Sequence, residues 1–320
     1  MINWGIIGAG NIAHRFTKSL QHDSSCRLTA VSCRTKEKAQ LFADEYGVPH
    51  AYGGFEHIVE DPEVDAVYIA LPHKYHKEWA IKCMNAGKPV LSEKPAVIHA
   101  SEMQEIIDCH NQTGILFMEA MKTRFTPMYR YIHTLMNQHV LGDIVSMHFS
   151  FCNLVDVNKP GSHYYLDSEG GGALYDTGIY CIGWLDVYLK EPLTVDHADT
   201  VYKDGVDVYD HVYMHAGNIK VDIECATDRE KPRDGIIEGT KGKLIIHSMH
   251  RPEKAELILS DHEESFYKPY EVDDFYGEIE HFNTLLKEHQ TESSIMPLHA
   301  SLHCAEIIDQ IRKKMKEETC

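Results

Sequence analysis

The sequence predicts an α/β protein in two parts: a parallel, doubly wound sheet over residues 1–121, then an α+β part over 122–320 built on a large, mainly antiparallel open-faced sheet. Three observations predict it. A glycine-rich turn separates the first strand pattern from the first helix pattern. Strands and helices of similar length then alternate to about residue 121, and from Gly142 onward runs of alternating apolar and polar residues replace that rhythm. At 320 residues the chain exceeds the roughly 100–200 residues of one ordinary domain.

The chain opens on a short apolar strand over residues 3–8, which breaks into Gly8-Ala9-Gly10-Asn11-Ile12-Ala13 and passes into a helix through Phe16 and Leu20. This is the G-x-G-x-x-A form of a Rossmann-type dinucleotide turn. Gly8 makes the tight turn, Gly10 lets the backbone approach a pyrophosphate, and the small Ala13 permits close helix–strand packing. Asn11 and Ile12 fall in the same turn and are assigned to the cofactor with it. A second strand over 28–32 ends about 24 residues after Gly8, where an acidic residue would bind the adenine ribose of NAD. The turn there reads Ser32-Cys33-Arg34-Thr35-Lys36, with Lys38 one turn further, and holds no Asp or Glu. Hydroxyl and guanidinium groups suit a 2′-phosphate, so Ser32, Arg34 and Lys38 favour NADP, with NAD left open.

A helix over 36–46, a short segment at 51–52 and a helix over 55–59 lead to a strand over 66–70, which ends in Leu71-Pro72-His73-Lys74-Tyr75-His76. Ligands in such folds lie at strand C-termini, which places Leu71 and His76 beside the cofactor. A metal at His73 and His76 is not expected, since paired histidines are ordinary in a chain with 22 of them. After a helix over 78–86, the strand Pro89-Val90-Leu91 runs into Ser92-Glu93-Lys94-Pro95, so that Lys94 stands at the same sheet edge. A helix over 100–113, the break at Gly114 and a strand over 115–119 complete the first part.

The second part begins with a helix over 128–138. Strands follow over 144–151, 195–202, 210–215, 219–225, 234–238, 243–247 and 255–259, with helices over 172–189, 277–288 and 298–315. An open sheet face of this size is covered by helices or used in self-association, which predicts a homodimer or higher homo-oligomer. Gly170-Gly171-Gly172 allows close backbone approach to a ligand, and the helix after it carries Asp176 and Tyr180 four residues apart, on one face. Phe151, Asn153, His163 and Tyr164, between the first sheet strand and the glycine run, are further candidates for the cleft.

These pieces suit one chemistry. Oxidising an alcohol needs a hydride acceptor and a base for the hydroxyl proton. A phenol with a pKa of about 10 is a poor base at neutral pH. A lysine ammonium nearby stabilises the phenolate and polarises the substrate oxygen. Lys94 and Tyr180 would form that pair, with Asp176 orienting a substrate hydroxyl or Lys94. A non-catalytic NADP-binding sensor or regulatory protein is the alternative, and the presence of Lys94, Asp176 and Tyr180 together argues for the enzyme.

Composition excludes other classes. The formal net charge of −18 suits neither nucleic acid nor an anionic membrane. No apolar run of about 18 residues occurs, and Met1 leads directly into a strand without a signal-peptide pattern. Nine scattered cysteines without a C-x-x-C pair argue against a disulfide framework or structural zinc, and predict a reduced, cytoplasmic protein.

The glycine turn, Glu93-Lys94-Pro95, the 170–180 segment, Glu278-Ile279-Glu280-His281-Phe282 and Met296-Pro297-Leu298 together resemble the glucose-fructose oxidoreductase and inositol dehydrogenase (Gfo/Idh/MocA) family across nearly the whole chain. Residues 117–125 and Tyr180 are most similar to its dimeric dihydrodiol dehydrogenase and D-xylose dehydrogenase branch. The resemblance implies an NADP-linked dehydrogenase that dimerises through the open sheet, acting on a sugar, polyol or diol. It implies that Lys94 is the catalytic lysine and Tyr180 the proton-transfer residue with Asp176 beside them, that Glu93 and Arg124 lie near the nicotinamide, and that the Lys94–Pro95 bond is cis. Lys122 stands where the arene-diol enzymes carry tryptophan, which favours a polyhydroxylated or anionic substrate.

Overall fold

The computed structural model describes residues 1–159, 162–189 and 191–319. They form two compact units, one of Met1–Lys122 with Glu271–Leu302, the other of Thr123–Tyr270 with His303–Cys320. In the first, β1 (Ile2–Ile7), α1 (Asn11–Leu20), β2 (Cys26–Cys33), α2 (Lys36–Tyr46), β3 (His50–Gly53), α3 (Glu56–Glu60), β4 (Ala66–Ile69), α4 (His76–Asn85), β5 (Val90–Glu93), α5 (Ala100–Thr113) and β6 (Phe117–Ala120) alternate as the sequence predicts. All strand pairs are parallel, in the order β3-β2-β1-β4-β5-β6. The order reverses between β1 and β4, so the crevice at their C-terminal ends is where a ligand sits in such a sheet.

The second unit contains α6 (Pro127–Asn137), β7 (Ile144–Cys152), α7 (Ile179–Tyr188), β8 (Leu193–Lys203), β9 (Val206–Ala216), β10 (Ile219–Ala226), β11 (Gly235–Gly239), β12 (Gly242–His247), β13 (Lys254–Leu259) and β14 (Glu263–Tyr267). Its eight strands run in the order β14-β13-β12-β11-β7-β10-β9-β8, antiparallel except for the β7–β10 pair. Trp184 fills the core beneath it, stacked on Phe149 at 5.7 Å and tilted against Tyr129 at 4.6 Å. α8 (Tyr276–Lys287) and α9 (Leu298–Thr319) close the chain.

Three features depart from the sequence expectation. The segment Glu271–Leu302, with α8, packs with the first unit although it lies far beyond residue 121. The cause is Trp4 of β1, which packs on Phe282 at 5.1 Å and donates its indole N–H to Asn283 Oδ1 at 3.0 Å. The helix expected over 172–189 instead begins as a π-helical turn, Leu174–Gly178, before α7. The four-residue spacing of Asp176 and Tyr180 therefore spans a π-to-α junction and no longer fixes a shared face: Asp176 is part-exposed and Tyr180 buried. Finally, β14 was not expected, because in Glu-Glu-Ser-Phe-Tyr only Phe266 turns inward.

Candidate active site

The cofactor half of the site lies at the C-terminal edge of the parallel sheet. Gly8 follows β1 with φ 101°, and a Cβ there would stand 2.3 Å from Ala70 O, so this turn admits no side chain. Gly10 differs. Its φ of −90° suits any residue, and an added Cβ would meet no protein atom within 4 Å. Neither strain nor packing requires glycine at that position, and the space above it is open to the close approach of a ligand. Gly10 caps α1 without a side-chain hydrogen bond and no acidic residue occupies the first turn. The amides that begin at Asn11 and Ile12 thus offer an anion an uncompensated helix N-terminus. Ser32, wholly buried at the end of β2, has a hydroxyl without a hydrogen-bond partner. The open cradle at Gly10, the uncapped helix and the orphan hydroxyl fit a dinucleotide.

Arg34 and Lys38 are exposed beyond β2. Between them Thr35 caps α2 by accepting the Lys38 N–H at 3.3 Å, while Lys36 donates to Ala51 O and is thereby committed to the fold. His76 has a different occupation from the one expected. Its Nδ1 lies 2.8 Å from Pro95 O and its Nε2 2.8 Å from Leu71 O, so both ring nitrogens face backbone carbonyls. Burial pushes its pKa down against the pull of those carbonyls. His76 thus ties the end of β4 to the Lys94 loop.

Lys94 itself is only 9% exposed, and its bond to Pro95 is cis. Glu93 accepts the Tyr68 hydroxyl at Oε1 and the Lys94 N–H at Oε2, the latter at 3.2 Å. Glu119 of β6 receives the Ala96 N–H at 2.9 Å. The loop that presents Lys94 is therefore held on both sides by buried carboxylates.

Lys122 does not offer the free charge that its place in the sequence suggested. Its Nζ lies 2.5 Å from Asp274 Oδ2, and Arg15 reaches the other oxygen at 2.6 Å. Burial works to lower the Lys122 pKa and Asp274 opposes it. An ammonium already paired and buried gives no reason for an anionic substrate. Glu278 of α8 adjoins this cluster, wholly buried, and neither of its oxygens has a hydrogen-bond partner. Burial, then the nearby Glu93 charge, push its carboxyl well above the ordinary value. Arg15 and Lys122 both pair with Asp274, and neither oxygen of Glu278 meets a partner.

This has a consequence for stability. An unfolded Glu278 loses its proton near the ordinary value of 4.5, whereas the folded one retains it to higher pH. The folded state then binds more protons above that value, so stability falls as pH rises through the window. Glu278→Gln, which cannot titrate, should gain melting temperature relative to wild type between about pH 5 and pH 8, with the gain shrinking towards pH 4.5. A difference independent of pH would refute a protonated Glu278.

The remaining candidate residues belong to the other unit. Tyr180, 7% exposed near the start of α7, lies beside Phe151 at 5.6 Å and edge-on to His250 at 6.1 Å. Phe151 and His250 stack at 4.0 Å. Phe151 was expected here, but His250 was not, for it lies in a turn after β12 that carries no motif. Asn153 accepts from Arg233 at 2.8 Å, and the side chain of His163 lies outside the described residues. Tyr165 is pushed up to about 12 by burial and by the charge of Asp176, which places that carboxylate near it. Arg124, 2% exposed, donates through Nη2 to Gly183 O at 2.9 Å and to Asp186 Oδ2 at 3.0 Å, both on α7. These contacts fasten it to the helix that carries Tyr180, an occupation different from the nicotinamide contact that the resemblance implied. Among the described residues no cluster of three metal-ligating side chains occurs, and no helix is long and apolar enough to cross a membrane.

Comparison with known proteins agrees with this architecture. Residues 2–121 match the model of an oxidoreductase family with an NAD-binding Rossmann fold, and residues 129–245 match the GFO/IDH/MocA C-terminal domain. A mouse trans-1,2-dihydrobenzene-1,2-diol dehydrogenase is 30% identical over 327 residues, covering 98% of this chain and 96% of the relative. The NADP(+) scyllo-inositol 2-dehydrogenase of Bacillus subtilis (strain 168) is 31% identical over 321 residues, covering 98% and 97%. A 3-ketoreductase from Actinomadura kijaniata, solved with NADP and TDP-benzene, superposes with a TM-score of 0.89 at 25% identity, covering 98% of this chain and 97% of that one.

Proposed function

Because the chain belongs to the GFO/IDH/MocA oxidoreductase family, we propose that it is an NADP-dependent dehydrogenase acting on a secondary hydroxyl of a neutral sugar, polyol or related diol. The observation that carries the reading is the pairing of an open glycine cradle at Gly10 with a buried lysine, Lys94, at the same sheet edge. Relatives that are named as dehydrogenases of an inositol and of a dihydrodiol support the substrate class, since both substrates carry neighbouring hydroxyls. The paired state of Lys122 favours a neutral molecule over an anionic one.

Gly8, Gly10, Asn11 and Ile12 would hold the pyrophosphate, Ser32, Arg34 and Lys38 the adenosine end, and Leu71, Glu93 and Lys94 the nicotinamide side. Bound there, the dinucleotide supplies the hydride acceptor. The chain's own residues manage the proton: Tyr180 takes it from the substrate hydroxyl, Lys94 stabilises the phenolate and polarises the oxygen, and Asp176 orients the hydroxyl. His76 and Arg124 position this machinery through the contacts described above. The reading includes a homodimer formed through the open sheet and a cytoplasmic location; co-elution with dimeric standards and cell fractionation test them.

Absorbance at 340 nm with NADP and a panel of pentoses, hexoses, inositols and dihydrodiols tests the activity. Turnover of none of them by a protein that binds NADP would favour the sensor reading. Arg34→Ala should raise the KM for NADP by about tenfold or more and leave that for NAD nearly unchanged, since one charge-assisted contact to a 2′-phosphate contributes about 1.5–3 kcal/mol. Equal effects on the two cofactors would remove Arg34 from the phosphate.

A further inference from the structure

We propose that Asp207 is the positioning residue of the substrate half-site: from β9 its carboxylate clamps the 172–178 turn and so determines where Asp176 stands. The proposal rests on the role given above to Asp176. Asp207 is 2% exposed, and its Oδ2 accepts the N–H of Leu174, the first residue of the π turn, at 2.9 Å. This amide is one of those that a helix start leaves without an internal partner. Against the same carboxylate lies Gly172, with φ 105°, where a Cβ would stand 2.4 Å from Asp207 Oδ1 and 2.7 Å from Oδ2. The glycine run is therefore closed down onto Asp207. From Gly172 the path to Asp176 is one hydrogen bond, the Asp176 N–H to Gly172 O at 3.2 Å.

Asp207 is itself fixed from behind. Asp210, on the same strand and wholly buried, has an Oδ1 that no donor meets. Burial and the Asp207 charge push the Asp210 carboxyl well above its ordinary value. Its Oδ2 receives the Cys225 thiol at 3.7 Å. Arg312 of α9 approaches Asp207 Oδ1 at 3.5 Å while its guanidinium lies over the Tyr175 ring at 4.9 Å. A guanidinium and a helix amide converge on one carboxylate, and the backbone it meets lies within 172–174, two to four residues before Asp176. Such an arrangement holds a π turn, an uncommon conformation that α-helical hydrogen bonding would otherwise rewind.

The test uses the full chain with Asp207→Ala, Asp207→Asn and Asp176→Ala, followed by amide hydrogen exchange and steady-state kinetics on a polyol that wild type oxidises. Asp207→Ala should speed exchange across 172–178 by about tenfold or more and lower kcat by about 10²-fold, with the KM for NADP within about twofold. Asp207→Asn, whose amide oxygen still accepts the Leu174 N–H, should restore most of the activity. The double variant Asp176→Ala/Asp207→Ala should be no slower than Asp176→Ala alone, because one residue acts through the other. Multiplying losses in the double variant, or unchanged exchange at 172–178 in Asp207→Ala, would overturn the proposal. If Asp207→Ala does not fold, Arg312→Ala carries the same reading, with a smaller rise in exchange confined to that turn; no rise counts against the clamp. A wild type that oxidises no polyol, with exchange at 172–178 still faster in the variants, sinks the proposed activity and supports the clamp.

Discussion

Lys94→Ala is expected to lower kcat by about 10²–10⁴-fold, the usual contribution of a group that assists proton transfer, with NADP still bound. Three contacts made by other groups hold the loop in this variant. Glu93 is held by the Tyr68 hydroxyl, Pro95 O lies 2.8 Å from His76, and the Ala96 N–H is held by Glu119 at 2.9 Å. With these contacts intact, the loss reports chemistry rather than folding. Tyr180→Phe keeps the ring against Phe151 and His250 and removes only the hydroxyl, so it should show a loss of similar order. If the two act as one unit, Lys94→Ala/Tyr180→Phe will be little worse than the worse single variant. Wild-type turnover in either single variant would remove that residue from the mechanism, and retained NADP binding in a fluorescence titration excludes the trivial explanation.

Much of this site could be read along the chain because a parallel sheet does the assembly. Gly8, Leu71 and Lys94 each follow a strand and Ser32 is the penultimate residue of one, and parallel strands deliver their C-terminal ends to one edge whatever their sequence separation. Local patterns therefore sufficed to bring these candidates to one sheet edge. What escaped depends on contacts between distant residues. Lys122 looked like a free ammonium because its partner, Asp274, lies 152 residues away. Trp4 draws α8 to the first unit through Asn283, 279 residues away. His76 stands where a cofactor contact was reasonable, but its carbonyl partners depend on the path of the Pro95 loop. The π turn escaped for another reason: its apolar pattern is that of an α-helix, and the extra residue is accommodated by Asp207 against Gly172 and by the close approach of Gly178 to Cys225. No helical periodicity reports a carboxylate on another strand.

Arg124→Ala should destabilise the protein by about 3–5 kcal/mol, since it leaves Asp186 without its guanidinium partner in a largely buried place. For a unit of this size that is a fall in melting temperature of roughly 6–20 °C. Asp186 has a second partner, and this makes the prediction sharper. His303 Nδ1 lies 2.7 Å from Asp186 Oδ1, and that hydrogen bond raises the His303 pKa above its ordinary 6.5. A histidine with a raised folded pKa contributes stability that is fully present below its unfolded value and is lost as pH rises through the folded one. In Arg124→Ala the protonated imidazole is the cation left beside Asp186. The deficit against wild type should therefore be smaller at about pH 6 than at about pH 8, and Asp186→Asn in the same background should recover part of it at the higher pH. Arg124→Lys should fall between the two: it keeps the charge but cannot reach both Gly183 O and Asp186 from one planar group. Because these contacts hold the helix that bears Tyr180, kcat in Arg124→Lys should drop more than stability does. Equal deficits at the two pH values would break the link to His303, and full activity in a destabilised Arg124→Lys would separate Arg124 from the placement of Tyr180.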